Sequence, residues 1–443
     1  MLQINKLNSC LIGFMYLLRA SILITIFVFC NSNIYSKTLR VFDDIEIKSF
    51  YSNYNYFIPL LEGVKVSKGF NFFLYENGSI KNLENLNLNY TLRQEIRSDL
   101  LKNSIYKAYL EYNNDIFYLS FGKKTKRIGI SENSLILSKN SEPFLMLNIE
   151  TKKPLNLWGL WKFEFLNGWL MEKRNDRNNP QIFILRIEYS PSSVISLGIN
   201  RFSQFGGEGR PSIKIWEYPK LLIGSEDNIS YSKYDADGYF GYDIVLNLSK
   251  YFKNFDLFKV YYQNIGSDII AFWQKEDKGK FFFPFIIKLQ LNSYQGGFEI
   301  KKSSNIFNLE FTSVNDLFYI HHLYNVEGYS YKNFSLGEPY GNNLNDIYFS
   351  HKKIKSNEEY FKYKIGFLKQ PSSTNHRNIY KTRMKKYYLE YEFSKNIKEF
   401  LLIPYLRFEY NRNFDFNPNP VKYDIRDLNK SIFIFGLNTK LRF

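Results

Sequence analysis

The chain has 443 residues, 44% of them hydrophobic, 19% aromatic and 23% charged, with a formal net charge of +16. That apolar content excludes disorder, and only four alanines (Ala20, Ala108, Ala236 and Ala271) argue against a helix-rich architecture, since helices lean on Ala, Leu, Glu and Lys. The aromatic enrichment favours strands, and the positive charge fits either an acidic partner or the Lys- and Asn-rich codon usage of an AT-rich genome.

Residues 1–36 read as a signal peptide, with Arg19 as its basic region, Ala20 to Cys30 as its apolar stretch and Met15 as an alternative start. Both cysteines, Cys10 and Cys30, lie in that segment, so no thiol chemistry is expected of the mature chain. Residues 37–104 form an aromatic, strand-like stretch with a candidate short helix at 92–104. Residues 105–443 form the main body.

Period-2 alternation then recurs along the chain. Trp161, Phe163, Phe165 and Trp169 share one face against Lys162 and Glu164. Phe183, Leu185, Ile187 and Tyr189 oppose Arg186 and Glu188. Phe285, Ile287, Leu289 and Leu291 oppose Lys288, Gln290 and Asn292. Phe361, Tyr363, Ile365 and Phe367 oppose Lys362 and Lys364, and the final stretch 430–443 ends on Phe443. A soluble sandwich would alternate too. Here full charges stand at mid-strand and the apolar faces are heavily aromatic, as in a transmembrane antiparallel β-barrel of outer-membrane type.

Loop lengths predict the topology. Short links join 182–189 to 194–201, 239–249 to 257–264 and 385–394 to 401–411. The alternate connections, 123–143, 170–181, 202–238, 265–284, 313–345, 369–384 and 412–429, are long, which places them outside the cell. Counting from 105–112 gives fifteen strands. Residues 37–104 supply one or three more, making 16 or 18, and their length favours 18.

Three loop stretches carry unusual sequence: Gly122 to Pro143, Gly198 to Pro211, and Tyr319 to Gly341. Together they would set Arg127, Arg186, Arg201, Gln204, Arg210 and several tyrosines around one mouth. Arginine forks match carboxylates and tyrosine rings stack on sugars, so an acidic polysaccharide is the expected ligand. The bland alternative is that these residues only brace the loops.

At these residues the sequence resembles the capsule assembly protein Wzi family. The resemblance rests on NSLILSKNSEP (Asn133 to Pro143), on Trp161 to Trp169 followed by Pro180, Arg186 and GINRFSQFGGEGR, and on Tyr319 to Gly341. It covers roughly residues 105–443. It implies an 18-stranded outer-membrane barrel that acts as a lectin, attaching capsular polysaccharide to the cell surface. Arg127, Asn140, Arg186, Arg201, Gln204, Arg210, His321, Tyr324, Tyr329 and Tyr331 are the residues expected to bind it. Two departures stand out: Arg127 is followed by Ile128-Gly129 where the family has a Trp-Gly pair, and the family's amino-terminal helical segment has no counterpart in 37–104 beyond residues 92–104.

Catalysis is not expected. Ser134 or Ser138 with His321 could be drawn as a dyad, and Glu208 with Asp237 as a carboxylate pair, but no G-x-S-x-G elbow is present. Adjacent His321 and His322, on opposite faces of a strand, would make a poor metal pair. No cofactor, metal or nucleic-acid partner is expected; outer-membrane lipid and the barrel-assembly machinery are. The competing reading is a diffusion channel for anionic solutes, whose lumen would also be charged.

Overall fold

The computed structural model describes residues 43–442, except 84, 99, 225, 228, 230–231, 267, 271–287, 357, 371–383 and 413–428. The signal peptide, Phe443 and residues 285–287 therefore lie outside the described residues.

Eighteen strands form one closed antiparallel sheet. The first six are β1 (Asp44–Ser52), β2 (Gly69–Leu83), β3 (Leu86–Arg97), β4 (Leu100–Asn113), β5 (Phe117–Lys124) and β6 (Phe144–Thr151). Next come β7 (Leu160–Trp169), β8 (Gln181–Ser190), β9 (Ile195–Phe205), β10 (Asp237–Asn247), β11 (Leu257–Gly266) and β12 (Ser293–Lys302). The last six are β13 (Asn305–Val314), β14 (Leu344–Ile354), β15 (Tyr360–Gln370), β16 (Met384–Ile397), β17 (Phe400–Arg412) and β18 (Lys430–Arg442). Each pairs with its neighbours in sequence, and β1 also pairs with β18, from Asp44 opposite Arg442 to Ser52 opposite Ile434. Closure leaves no edge strand, which hydrocarbon demands because it offers no hydrogen bonds. The 18-stranded reading holds, with three strands before β4.

Two expectations fail. Residues 92–104 are not helical: β3 and β4 pair through them, with Leu92 opposite Ile105 and Ile96 opposite Leu101. Thr91, Arg93 and Glu95 are buried while Leu92 is exposed, a period of two that overrides the helix-forming composition. The alternation of 285–292 also does not mark a wall strand. Lys288–Gln290 pairs with Asp268–Ile270 in a separate two-stranded ladder, and the wall is resumed by β12, whose Gly296-Gly297 hides its pattern.

One face of the wall is an apolar belt. Phe70 and Leu101 are 66% and 62% exposed, and Ile105, Ile365 and Phe435 are also exposed. The other face carries charge in paired form: Arg186 Nη1 donates to Asp243 Oδ2 at 2.5 Å, and Lys386 lies 3.2 Å from Glu409. Pairing offsets the cost of burying such groups.

Both described termini and the eight short connections share one end. The nine remaining connections, the long set among them, share the other. Three of the long ones fold back into the lumen as a plug: 53–68, 125–143 and 315–343. Leu135, Ile136, Leu137, Phe318, Tyr319, Tyr329 and Leu336 of the plug form one buried cluster with Met146, Ile182, Ile184, Phe202, Tyr239, Ile265, Leu344 and Leu368 of the wall. A second cluster seats Tyr56, Ile58, Val64 and Val66 against Phe50, Phe73, Tyr75, Tyr106, Ile432 and Ile434.

Candidate functional site

The three plug segments are knitted by backbone bonds that local sequence could not announce. Ser138 N–H donates to Leu336 O at 2.7 Å, and Glu62 and Gly63 N–H donate to Lys139 and Asn140 O at 2.9 and 2.8 Å. Tyr319 and Tyr329 hydroxyls donate to Leu135 O (2.6 Å) and Ile136 O (3.0 Å). Gly337 is required here: a Cβ on it would strike the Tyr319 hydroxyl and Leu135 O.

Charge pins the plug to the wall. Glu142 accepts from Arg93 of β3 (2.9 Å) and Lys332 of the third segment (2.6 Å). Burial pulls the Glu142 carboxyl upward, but Lys332 and Arg93 outweigh it and hold it below the ordinary range. Arg174, with no exposed side-chain surface, donates to Gly328 O (2.7 Å) and Ser330 O (2.9 Å) while pairing with Asp176 (2.8 Å). Glu338 shows the opposite balance. Burial first, then Asp346 and Glu310, push its carboxyl well above the ordinary range.

Below the plug lies a cavity of about 770 Å³. Ile58 to Leu61, Thr125 to Arg127, Glu132, Lys139 and Tyr340 form its roof. Its wall residues, such as Tyr360 and Lys362 of β15, Glu392 of β16, Tyr405 of β17 and Asn438 of β18, sit in the strand halves next to the short connections. The cavity is thus a vestibule on that side. Seven cationic side chains line it against three carboxylates. Lys126 is matched by Glu150 (2.6 Å) and Glu164 (2.7 Å), and Lys362 stands 3.7 Å from Glu132. Lys362 is the first cause holding the Glu132 carboxyl low. The Arg127 and Lys139 side chains make no hydrogen bond or ion pair among the described residues.

The family model described as "Capsule assembly protein Wzi" matches residues 62–393. The chain belongs to the Wzi capsule assembly family. Among solved structures, this family member is similar to Wzi of Escherichia coli, at 17% identity and a TM-score of 0.68, covering 90% of this chain and 85% of that one. That protein is an outer-membrane, carbohydrate-binding β-barrel involved in group 1 capsule assembly. OpdQ of Pseudomonas aeruginosa is similar at 8% identity and a TM-score of 0.48, covering 91% and 97%. No curated protein sequence matches the chain.

The residues expected around one mouth are in fact dispersed. Arg127 is exposed in the vestibule roof. Asn140 is buried where the plug segments meet, accepting from Leu60 N–H (3.2 Å) and donating to Ser335 O (3.1 Å). Arg186 faces the lumen, locked to Asp243 and Asn200. Gln204, fully buried on the lumen face of β9, has no hydrogen-bond partner for its side-chain amide among the described residues. Tyr324 donates to Gly206 O (2.9 Å), and Tyr329 and Tyr331 are buried in the cap, Tyr331 edge-on to Phe144. Those three rings brace loops.

Arg201 lies on the opposite side of the wall. On β9, Phe202 stacks on Tyr239 inside the barrel, while the alternate residue Ile199 is 49% exposed outside. Arg201 shares the outer face with Phe205. Both are covered by connection 206–236, which folds over the outside of β7 to β10 and carries the short helix Tyr218–Ile223. Arg201 donates to Leu221 O (2.9 Å) and Asp227 (2.5 Å) there. Arg210, in the same flap, donates to the carbonyls of Ser232 and Asp235.

The residues of the enzymatic pairings have other hydrogen-bond partners among the described residues. Ser134 donates to Ile128 O and Ser138 to Gly337 O, while Asp237 accepts from Tyr239 and Glu208 from Asn178. His321 and His322 also correct the sequence reading. They lie in a turn rather than a strand, with ring centroids 4.0 Å apart, and both face Asp235. Burial first, then His322 and Arg210, push His321 down to about 3. Arg174 and Glu142 were missed because nothing local marks a charged residue some of whose partners lie more than 150 positions away, and Glu338 because its burial is set by tertiary packing.

Proposed function

We propose that this Wzi-family barrel binds surface polysaccharide and helps attach or assemble it at the cell surface, with its long connections outside the cell. On the short-connection side, which this orientation turns toward the periplasm, anionic groups of a glycan presented from that side are met in the vestibule by Arg127, Lys139 and Lys362, beside the rings of Tyr340, Tyr360 and Tyr405. The observation that carries this reading is a cavity whose roof offers a guanidinium and an ammonium without hydrogen-bonded partners among the described residues, closed above by an apolar plug. Such cations suit sugar carboxylates, and the rings suit sugar faces. The plug counts against the channel reading, because connections 53–68, 125–143 and 315–343 bury apolar side chains against the wall inside the lumen. Lipid around the apolar belt and the barrel-assembly machinery are the further partners this reading implies.

The test measures binding of acidic and neutral polysaccharides to the purified protein, alongside planar-bilayer conductance. Acidic glycan should bind in a salt-sensitive way, and Arg127→Ala and Lys139→Ala should each weaken it by about 1–3 kcal/mol, the scale of a charge-assisted hydrogen bond. Equal binding of neutral and acidic glycans would remove the vestibule assignment. Steady single-channel conductance without glycan binding would overturn the function.

A further inference from the structure

Where the outer flap meets the cap, three metal-ligating side chains converge from two connections. Asp235 closes the flap, and His321 and His322 stand in connection 315–343. One ligand atom from each lies within 4.8 Å of the others. His322 Nε2 is 2.9 Å from Asp235 Oδ2, and His321 Nε2 is 3.6 Å from Asp235 Oδ1.

The Asp235 side chain has no exposed surface, yet its Oδ1 accepts no hydrogen bond among the described residues. A buried carboxylate oxygen without a donor is costly unless something else meets it. The 3.6 Å separation from His321 Nε2 is too long for a hydrogen bond. It is close to the separation of about 3.4 Å between two ligand atoms that each lie 2.0–2.1 Å from a tetrahedral ion. The His322 side chain is 39% exposed, so the cluster is open on one side to an entering ion and to a fourth ligand from solvent.

We propose that Asp235, His321 and His322 form a binding site for a divalent transition-metal ion of the zinc type. Two imidazoles and one carboxylate favour that class over calcium or magnesium, which prefer all-oxygen shells. Occupation takes the Nδ1–H tautomer of His321, giving up the long 3.3 Å contact from Leu323 N–H. The ion clips the flap on the outer wall to the cap in the lumen, joining side chains as far as 87 positions apart in sequence. Arg210, which donates to the Asp235 backbone carbonyl (3.4 Å), is the nearby cation whose repulsion an entering ion must overcome.

The experiment uses untagged, chelator-treated protein in detergent, titrated calorimetrically with zinc chloride and, separately, with calcium chloride. One equivalent of zinc should bind with micromolar or tighter Kd, and calcium should not bind. Cobalt substitution should yield the visible absorption of a tetrahedral site. His322→Ala, at an exposed position, should weaken zinc at least tenfold while the barrel keeps its heat-modifiable migration, and Asp235→Asn should do likewise. Zinc should also slow proteolysis within 206–236. Absence of stoichiometric zinc binding, or binding unchanged in folded His322→Ala, would overturn the site.

Discussion

Arg201 and Asp227 form an ion pair at 2.5 Å on the outside of the barrel wall, with both side chains nearly buried under the flap. An arginine that sequence assigns to a binding mouth is therefore a fastener on the other side of the sheet. Arg201→Ala should loosen connection 206–236 and leave glycan affinity per folded molecule unchanged. Removing one partner of a buried pair costs about 3–5 kcal/mol, here spent on local opening. Hydrogen exchange across 206–236 should rise sharply; weaker glycan binding with an unchanged flap would contradict this placement.

Orientation is checked with cysteines, since the two native ones fall at positions 10 and 30. Val326→Cys, on an exposed residue of the cap, should react with an impermeant maleimide on intact cells. Ser192→Cys, in the short link between β8 and β9, should react only after lysis. The reverse pattern would turn the vestibule toward the outside and the cap toward the periplasm.

Glu142 predicts an acid-sensitive cap. Its folded carboxyl is held below the ordinary value of 4.5, so the folded state binds this proton less readily than the unfolded chain. The stability it supplies is present above about pH 4.5 and is lost as pH falls through the depressed value. Proteolysis of connections 125–143 and 315–343 should therefore accelerate below pH 4. Glu142→Gln should flatten that pH dependence and cost about 1–3 kcal/mol at neutral pH, the range for hydrogen bonds to a charged group.

Glu338 has the opposite sign. Its carboxyl is raised by burial, so the unfolded chain releases this proton first, and stability falls as pH rises above 4.5. Glu338→Gln, neutral and nearly isosteric, should raise the thermal unfolding midpoint at pH 7, by on the order of 1–3 kcal/mol in stability. The gain should shrink near pH 4. An equal loss at both pH values would mean that the ionised carboxylate is structurally required.

Gly337 tests the plug directly. Gly337→Ala places a methyl against the Tyr319 hydroxyl and Leu135 O, so the bond knitting the second and third plug segments must break. A loss of about 1–3 kcal/mol in cap stability is expected for such overpacking. The barrel, held by strand ladders that Gly337 does not touch, should keep its heat-modifiable migration. Full retention of cap protection would show that the contact yields easily.

The wall was legible because its information is local. Phe183-Leu185-Ile187 against Arg186 and Glu188 states the two faces within six residues, and a strand with one face in lipid must alternate. Strand number, the alternation of short and long connections and the position of the last strand follow from that period. The failures at 92–104 and 285–292 came where composition was read over too few residues to separate a wall strand from something else.

The family was legible too, in loop segments such as Asn133 to Pro143 and Tyr319 to Gly341. What those segments do was not. Tyr329 and Tyr331 look like sugar platforms in sequence and are buried bracing in space, because a loop has no period to say which way a side chain turns. The parity of β9 puts Arg201 outside and Phe202 inside, but only the flap's return over the wall explains why a charged residue is tolerated there. Sequence by itself determined the barrel, its strand count and its family, since each rests on short-range pattern. Tertiary structure alone decided which cations lack hydrogen-bonded partners among the described residues, which loops fill the lumen and where two histidines meet an aspartate, because those depend on contacts between segments far apart in the chain.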